Sequence, residues 1–232
     1  MASGQWSVVG DQGARVKVRI LLALCAVVFP AFAWAQGGTA KEGSQTALKT
    51  FVSPDGSFRF TYAAFLIRCE LQQQAGGYVW AGDKCSAYHP VCDGETGPGI
   101  TPIACIAYPR NKFTDTDAFE AATFSVETVN GINTAEKCVA DPVEGLSERR
   151  GTLDIYGVSF TVFEFGEAGM NQAVTGHIYR TFRGGKCYQL GINAASATAE
   201  VFDPPARKLS KADWQEINGR LEQARDSFEF LK

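Results

Sequence analysis

The spacing Cys85-x3-His89-x2-Cys92 is the pattern in this 232-residue chain that most suggests metal binding. Two thiolates and an imidazole are good zinc ligands, and Asp83 or Asp93 could supply a fourth. Structural zinc sites usually have closer paired spacings and four nitrogen or sulfur ligands. A disulfide between Cys85 and Cys92 would remove both thiolates, so the sequence favours this disulfide over a metal. We therefore predict no metal and no other cofactor.

Cysteine usage as a whole supports the disulfide interpretation. One cysteine, Cys25, lies in the leader described below, and an even number remains after it. An even count in an exported protein predicts disulfides, although spacing alone leaves several connectivities open. Cys85–Cys92 would close a short loop, Cys138–Cys187 would join a short helix to a hairpin, and Cys69–Cys105 would join the remaining pair.

No catalytic set is apparent from the sequence. The chain has two histidines, His89 and His177, and a Ser-His-Asp mechanism would have to use one of them. No G-x-S-x-G motif occurs, and we expect a structural role for His177 at the start of a strand. The acidic cluster Asp115-Thr116-Asp117 with Glu120 lacks the third ligand and the glycine of a calcium loop, so it predicts a polar turn. We predict no catalytic residues, and the chain is more typical of a non-enzyme.

The N-terminus has the pattern of a secretory signal peptide. Three basic residues precede the apolar run Ile20–Ala33, and an A-x-A site ends at Ala35. The apolar run is too short to span a membrane as a stable helix. We expect residues 1–35 to be removed, 36–47 to form a flexible linker, and 48–232 to form one domain. The mature chain, beginning at Gln36, would be secreted or periplasmic, with no membrane span.

The charge balance excludes some partners. The net charge is −3 for the whole chain, and the leader holds three basic residues and one acidic residue, so the mature chain is more acidic. An acidic domain without a basic run argues against binding of nucleic acid or of an anionic membrane surface. The expected partner is an envelope protein or a small ligand.

The clearest structural pattern is Gly176–Ile192, which predicts two strands around a type I′ turn at Gly184-Gly185. This turn would fix the register of the hairpin. The expected buried pairs are Thr181 with Tyr188, Tyr179 with Leu190 and His177 with Ile192. On the opposite face, Phe182 would lie beside Cys187.

Other segments predict further hairpins and few helices. Hairpins are expected over Leu48–Tyr62 and Gly151–Phe165, and a short helix over Ala63–Gln74. The strand Phe119–Val129 should be half-buried, with its polar side chains in water. The last helix has Ser210 as N-cap and one apolar stripe. The stripe consists of Trp214, Ile217, Leu221, Ala224 and Phe228.

This order of elements predicts an α+β fold, a twisted and mainly antiparallel sheet with helices packed on its faces. The hairpins FVSPDGSFRFTY and YRTFRGGKCYQLGI, with a final helix ending in SFEF, resemble the PsbP-like α/β/α sandwich group. That group includes extrinsic photosystem subunits and small bacterial envelope proteins. The resemblance implies the fold, and it transfers no ligand residue to this chain.

Together these patterns favour an exported, non-catalytic module that binds a partner or ligand in the cell envelope. Two alternatives remain at this point. One is a secreted hydrolase that uses His89, and the other is a purely structural envelope protein.

Overall fold

The computed structural model describes residues 47–74, 77–81, 99–113, 118–140, 147–169 and 171–231. All of these ranges lie in one compact unit, Lys41–Lys232. Its strands, in chain order, are β1 Leu48–Val52, β2 Phe58–Ala63, β3 Ile67–Gln74, β4 Gly77–Ala81, β5 Ile100–Ala107, β6 Phe119–Val129, β7 Ser147–Ile155, β8 Val158–Gly169, β9 Gln172–Arg183, β10 Lys186–Ala197 and β11 Glu229–Phe230. The helices are α1 Ala135–Cys138 and α2 Lys211–Asp226, and short 3-10 turns occupy Arg110–Phe113 and Ala199–Val201.

The larger sheet has eight strands in the order β4-β3-β5-β6-β10-β9-β8-β7. Its pairings are all antiparallel. At the β9–β10 turn, Gly184 and Gly185 have φ of 57° and 77°, the left-handed values that a type I′ turn needs. The predicted register of this hairpin is confirmed, because Tyr179 lies opposite Leu190 and Phe182 lies opposite Cys187.

A smaller sheet, β1-β2-β11, covers part of one face of the larger sheet. Aromatic rings fill the space between the two sheets. Phe60 meets Phe124 of β6 edge to face, with ring centroids 5.2 Å apart, and Phe58 lies 5.0 Å from Phe228. These four rings are almost completely buried, so they form the centre of the core.

Helix α2 packs on the same face of the larger sheet. The predicted N-cap is present and forms a capping box, since Ser210 Oγ accepts from the Asp213 amide and Asp213 accepts from the Ser210 amide. Ile217, Leu221 and Ala224 are fully buried, as the apolar stripe predicted. The helix therefore has a fixed start and a fixed inward face.

The expected α+β fold, with helices on the faces of the sheet, is wrong. The described chain is mostly strand, and within it only α2 is longer than about one helical turn. The segment Ala63–Gln74, predicted as a helix, contributes β3 instead, which pairs with both β4 and β5. Ile67 and Cys69 point inward while Arg68 and Glu70 are exposed, so the local period is two rather than 3.6.

Strand β6 also differs from its prediction as half-buried. Thr123 and Ser125, expected in water, are 0% and 4% exposed, and Glu127 is half-buried. Both faces of β6 are buried: Phe124 packs against Phe60 of the smaller sheet on one face, and on the other Ser125 lies between Cys105 of β5 and Gly191 of β10.

The cysteines follow the predicted pattern only in part. Cys138 and Cys187 form a disulfide with a Cα separation of 5.4 Å, which joins α1 to β10. The predicted Cys69–Cys105 bond is wrong. Cys69 is disulfide-bonded, whereas Cys105 is a buried thiol that donates to the Ile106 carbonyl at 4.0 Å. Cys69 lies opposite Cys105 in the β3–β5 pairing, but this position does not link the two residues, because a sulfur atom forms only one disulfide bond.

The predicted Cys85–Cys92 bond lies outside the described residues. So does the predicted signal peptide. Among the described helices, none combines the length and the apolar character needed to cross a membrane.

Candidate functional site

A solvent-open cavity of about 340 Å³ lies between α2 and the β8-β9-β10 part of the larger sheet. We call this cavity the trough. It has a floor of small side chains, a helical wall, and one polar end. It is lined by Glu164, Ala173, Thr175, Gly176, His177, Ile192, Ala194, Ser196, Trp214, Asn218 and Glu222.

The floor of the trough follows from strand register. Thr175 of β9 lies opposite Ala194 of β10, and Ala173 lies opposite Ser196, so two successive rows on this face carry only small side chains. These side chains cannot reach the helix above them, and the gap that remains is the trough.

The wall of the trough is one side of α2. Trp214, Asn218 and Glu222 are four residues apart, so they stand above one another along the helix. The buried stripe that contains Leu221 lies on a neighbouring side of the same helix. Helix α2 thus closes the core with one side and lines the trough with the neighbouring side, which carries Trp214, Asn218 and Glu222.

The polar end of the trough is a cross-strand row. Glu164 lies opposite His177, which lies opposite Ile192. His177 is exposed, although its row was predicted to be buried, because it faces the open trough rather than a packed part of the core. The His177 and Tyr179 rings are 6.2 Å apart, so the imidazole rests partly on the core.

Tyr179 connects this end of the trough to the helix. Arg225 Nη1 donates to Tyr179 Oη at 2.7 Å, and the guanidinium lies 5.0 Å from the ring centroid. Burial raises the pKa of Tyr179, so the phenol is neutral at ordinary pH and accepts the arginine. This contact holds the C-terminal part of α2 against β9.

The trough continues beyond Trp214 into a second cavity of about 350 Å³. The two cavities share Ser196 and Trp214. The far side of the second cavity carries the ion pair Lys208–Glu200, with an N–O distance of 2.5 Å. The combined cavity is therefore an elongated groove rather than a round pocket.

The geometry of the trough suits binding better than acid–base catalysis. Ser196 is four strand positions beyond Ile192, the residue opposite His177, a separation of about 13 Å along the strand. A nucleophile and its base must lie within hydrogen-bond reach, so this serine and this histidine cannot act together. In the described ranges, no three His, Cys, Asp or Glu side chains are close enough together to hold a metal ion.

Most of the site residues considered from the sequence fall outside the described residues. Cys85, His89 and Cys92 fall outside the described residues, as does 115–117 of the acidic cluster. Glu120 is described, and it accepts from Gln172 Nε2 at 3.1 Å. Glu120 does not line the trough, whereas His177 does.

The opposite face of the larger sheet has a buried polar row that the sequence did not predict. Arg180 Nε donates to Gln189 Oε1 at 2.8 Å, and Gln189 Nε2 donates to Glu127 Oε2 at 2.9 Å. Loss of water around Glu127 raises the pKa of its carboxyl, against the lowering effect of Gln189 and Ser125. Two further buried atoms, Thr123 Oγ1 and Asn193 Oδ1, have no hydrogen-bond partner in the described structure.

The trough had a signal in the sequence that could have been used. Extending the hairpin register from Gly184-Gly185 pairs Thr175 with Ala194 and Ala173 with Ser196, a run of small pairs next to a helix with bulky residues. Binary patterning hides this signal, because alanine and threonine satisfy either face of a strand.

Comparisons with known proteins give no functional assignment. No family model and no curated protein matches the chain. A solved structure, the protein of unknown function PA94 from Pseudomonas aeruginosa, is 9% identical with a TM-score of 0.36, and the match covers 68% of this chain and 94% of that one. Such a likeness carries no argument about function. The resemblance to the PsbP-like group stays a prediction from the sequence.

Proposed function

We propose that this chain is an exported, non-catalytic binding protein of the cell envelope and that the trough is its binding site. The observation that carries the proposal is the trough itself, a cavity of about 340 Å³ built by regular elements. Ligand sites are concave, largely pre-formed, and combine apolar surface with a few polar groups. The signal-peptide pattern of residues 1–35 supports export.

The side chains around the trough support binding rather than turnover. Trp214 offers a large aromatic surface, and Asn218 and Ser196 offer hydrogen-bonding groups. The floor lies on a hairpin whose register is fixed by a tight turn, and the wall lies on a capped helix. Both parts are rigid, so a ligand would lose little free energy to ordering of the protein.

Co-purification tests this proposal. The full chain is expressed with its leader in a bacterial host, recovered from the envelope fraction, and examined by native mass spectrometry. We expect a bound molecule on the wild type that is lost in Asn218→Trp, because the added indole fills the trough from an exposed position on α2. The matched control is Gln215→Trp, also exposed on α2 but outside the trough lining, and it should retain the molecule.

Three results would contradict the proposal. The first is a wild-type protein without any bound molecule, and the second is a bound molecule that survives Asn218→Trp. The third is hydrolysis of an ester, peptide or glycoside substrate that disappears in His89→Ala, which would establish the secreted hydrolase instead.

A further inference from the structure

Several aromatic rings in the core or at its rim lie beneath a cation of the chain, and Trp214 is not one of them within the described ranges. Four of these rings have a cation of this chain over the ring face, at 4.1 to 5.0 Å from the centroid. The pairs are Arg68 with Phe51, Lys112 with Phe65, Arg183 with Phe230 and Arg225 with Tyr179. Within the described ranges, Trp214 has an edge contact with Phe119 and no such cation. Tryptophan is the best aromatic acceptor for a cation, so this ring can receive one from a ligand.

Glu164 brings negative charge to the polar end of the trough. Its carboxylate lies 2.6 Å from Arg150 Nε, and the same guanidinium also pairs with Glu148 at 2.9 Å. Two carboxylates thus share one arginine, which leaves one negative charge uncompensated. Arg150 and Glu164 are about half exposed and Glu148 is 69% exposed, so the pairs are weak and Glu164 can exchange partners.

Glu222 repeats this arrangement on the helical wall. Arg225 lies 3.8 Å from Glu222 but 2.8 Å from Asp226, and it is held by its hydrogen bond to Tyr179. Again two carboxylates share one arginine, and Glu222 has the longer contact. The trough is therefore bordered by two carboxylates with uncompensated charge, one from the sheet and one from the helix.

The length of the groove fits a chain better than a small molecule. The helical wall from Trp214 to Glu222 is about 12 Å long, the span of roughly three to four extended residues. The second cavity extends the groove beyond Trp214. Asn218 and Ser196 line the groove, where they can bond to the backbone of a bound chain.

We propose that the trough binds an extended polypeptide segment of a partner that carries two Lys or Arg side chains, one against Trp214 and one between Glu164 and Glu222. This inference rests on the proposed function and names its ligand. One cation of the segment lies over the Trp214 ring, and the other neutralises the charge that the two shared arginines leave at Glu164 and Glu222. The small side chains on the floor of the trough leave room there for the backbone of the bound segment.

A displayed library of random eight-residue peptides tests the inference. The exported protein is immobilised, and the frequency of Lys and Arg in bound peptides is compared with the unselected library. We expect enrichment of Lys and Arg. A selected peptide, synthesised with blocked ends, is then titrated calorimetrically, and its Kd should weaken about tenfold in Glu164→Gln/Glu222→Gln. Its affinity should also fall as salt rises, because the carboxylates are exposed.

The control variant is Glu167→Gln. It removes the same charge from the same strand, but Glu167 is exposed on β8 and does not line the trough, so the Kd should not change. Folding of each variant is checked by urea unfolding, and both glutamates of the test variant are exposed enough to tolerate replacement.

Several outcomes would overturn the inference. They are selection of neutral or acidic peptides, selection of no peptides, or a Kd that is unchanged in the double variant. Binding of free arginine as tightly as the peptide would show a small cation as the ligand and would also refute the peptide segment. The co-purification test is independent of ligand charge, so a neutral molecule lost in Asn218→Trp would refute this inference and leave the proposed function standing.

Discussion

Replacing Gly176 by Ala should destabilise the protein, because no side chain fits at this position of β9. A Cβ placed there would lie 2.6 Å from Asn193 Oδ1, 2.9 Å from Phe165 Cε1, and still closer to the carbonyl oxygen of Ile192. Asn193 is on the paired strand and can turn its side chain away, but the Ile192 carbonyl is backbone in β10. Part of the β9–β10 pairing must therefore move to admit the methyl group.

The size of the effect follows from two opposing terms. Forcing an extra carbon into a packed region costs about 1 to 3 kcal/mol, and the backbone contact places this site near the upper end. Gly176 does not have a left-handed φ, so alanine is allowed there and lowers the entropy of the unfolded chain, which returns about 0.4 to 1 kcal/mol. The expected net loss in the free energy of unfolding is about 2 kcal/mol.

Urea unfolding of the oxidised protein measures this loss. With a slope of roughly 2 kcal/mol per M, the midpoint should fall by about 1 M. The matched control is Gly219→Ala. Gly219 lies on the exposed side of helix α2, where an added Cβ would meet nothing within 4 Å. Its free energy of unfolding should rise by up to about 1 kcal/mol. A midpoint for Gly176→Ala at or above that of the wild type would refute the steric argument.

Four other predictions concern stability and processing. Replacing Cys138 and Cys187 together by Ser opens a loop of sequence separation 49 and should cost about 4 kcal/mol in urea unfolding, and an unchanged midpoint would contradict this. The pKa of Glu127 is raised in the folded state, so the carboxyl contributes fully to stability below its usual pKa of 4.5, and this contribution is lost as pH rises. The stability of Glu127→Gln relative to the wild type should therefore increase as pH rises above 4.5, and curves of stability against pH that stay parallel would disprove this. Ser210→Ala removes the cap of α2 and should cost about 1 kcal/mol by the same assay, whereas no change would show the cap to be dispensable. Mass spectrometry of the exported chain should find Gln36 as the first residue, and a retained leader or a lipid on Cys25 would be the contrary result.

Local chemistry made the hairpins and α2 predictable from the sequence. Two adjacent glycines fix the β9–β10 turn, and Tyr156-Gly157 adopts positive φ at the β7–β8 turn as that hairpin required. Ser210 and Asp213 fix the start of α2. In each case neighbouring residues determine the structure, so no distant contact is needed to recognise it.

The failures have the opposite origin. Segment 63–74 has apolar residues that fit a loose helical face, but pairing with β4 and β5 determines its structure. Thr123 and Ser125 look like solvent-facing residues until β6 is placed at the middle of a sheet that is buried on both faces. The trough was missed for the same reason, because a space between a helix and a sheet is set by tertiary packing and not by any one segment.

The pairing of β11 with β2 has a consequence for how the chain folds. Glu229 lies opposite Arg59 and forms an ion pair with it at 2.7 Å, so the last strand completes a sheet that the first strands began. The central pairing of β6 with β10 also joins distant segments, since Glu127 and Gln189 are 62 residues apart. Contacts of such long range make folding slow, whereas β7 to β10 can form one after another as local hairpins. A chain emerging from its N-terminus would hold β6 with one unpaired edge until β10 appears and β2 with one until β11 appears, so the core can form only after these distant strands have been made.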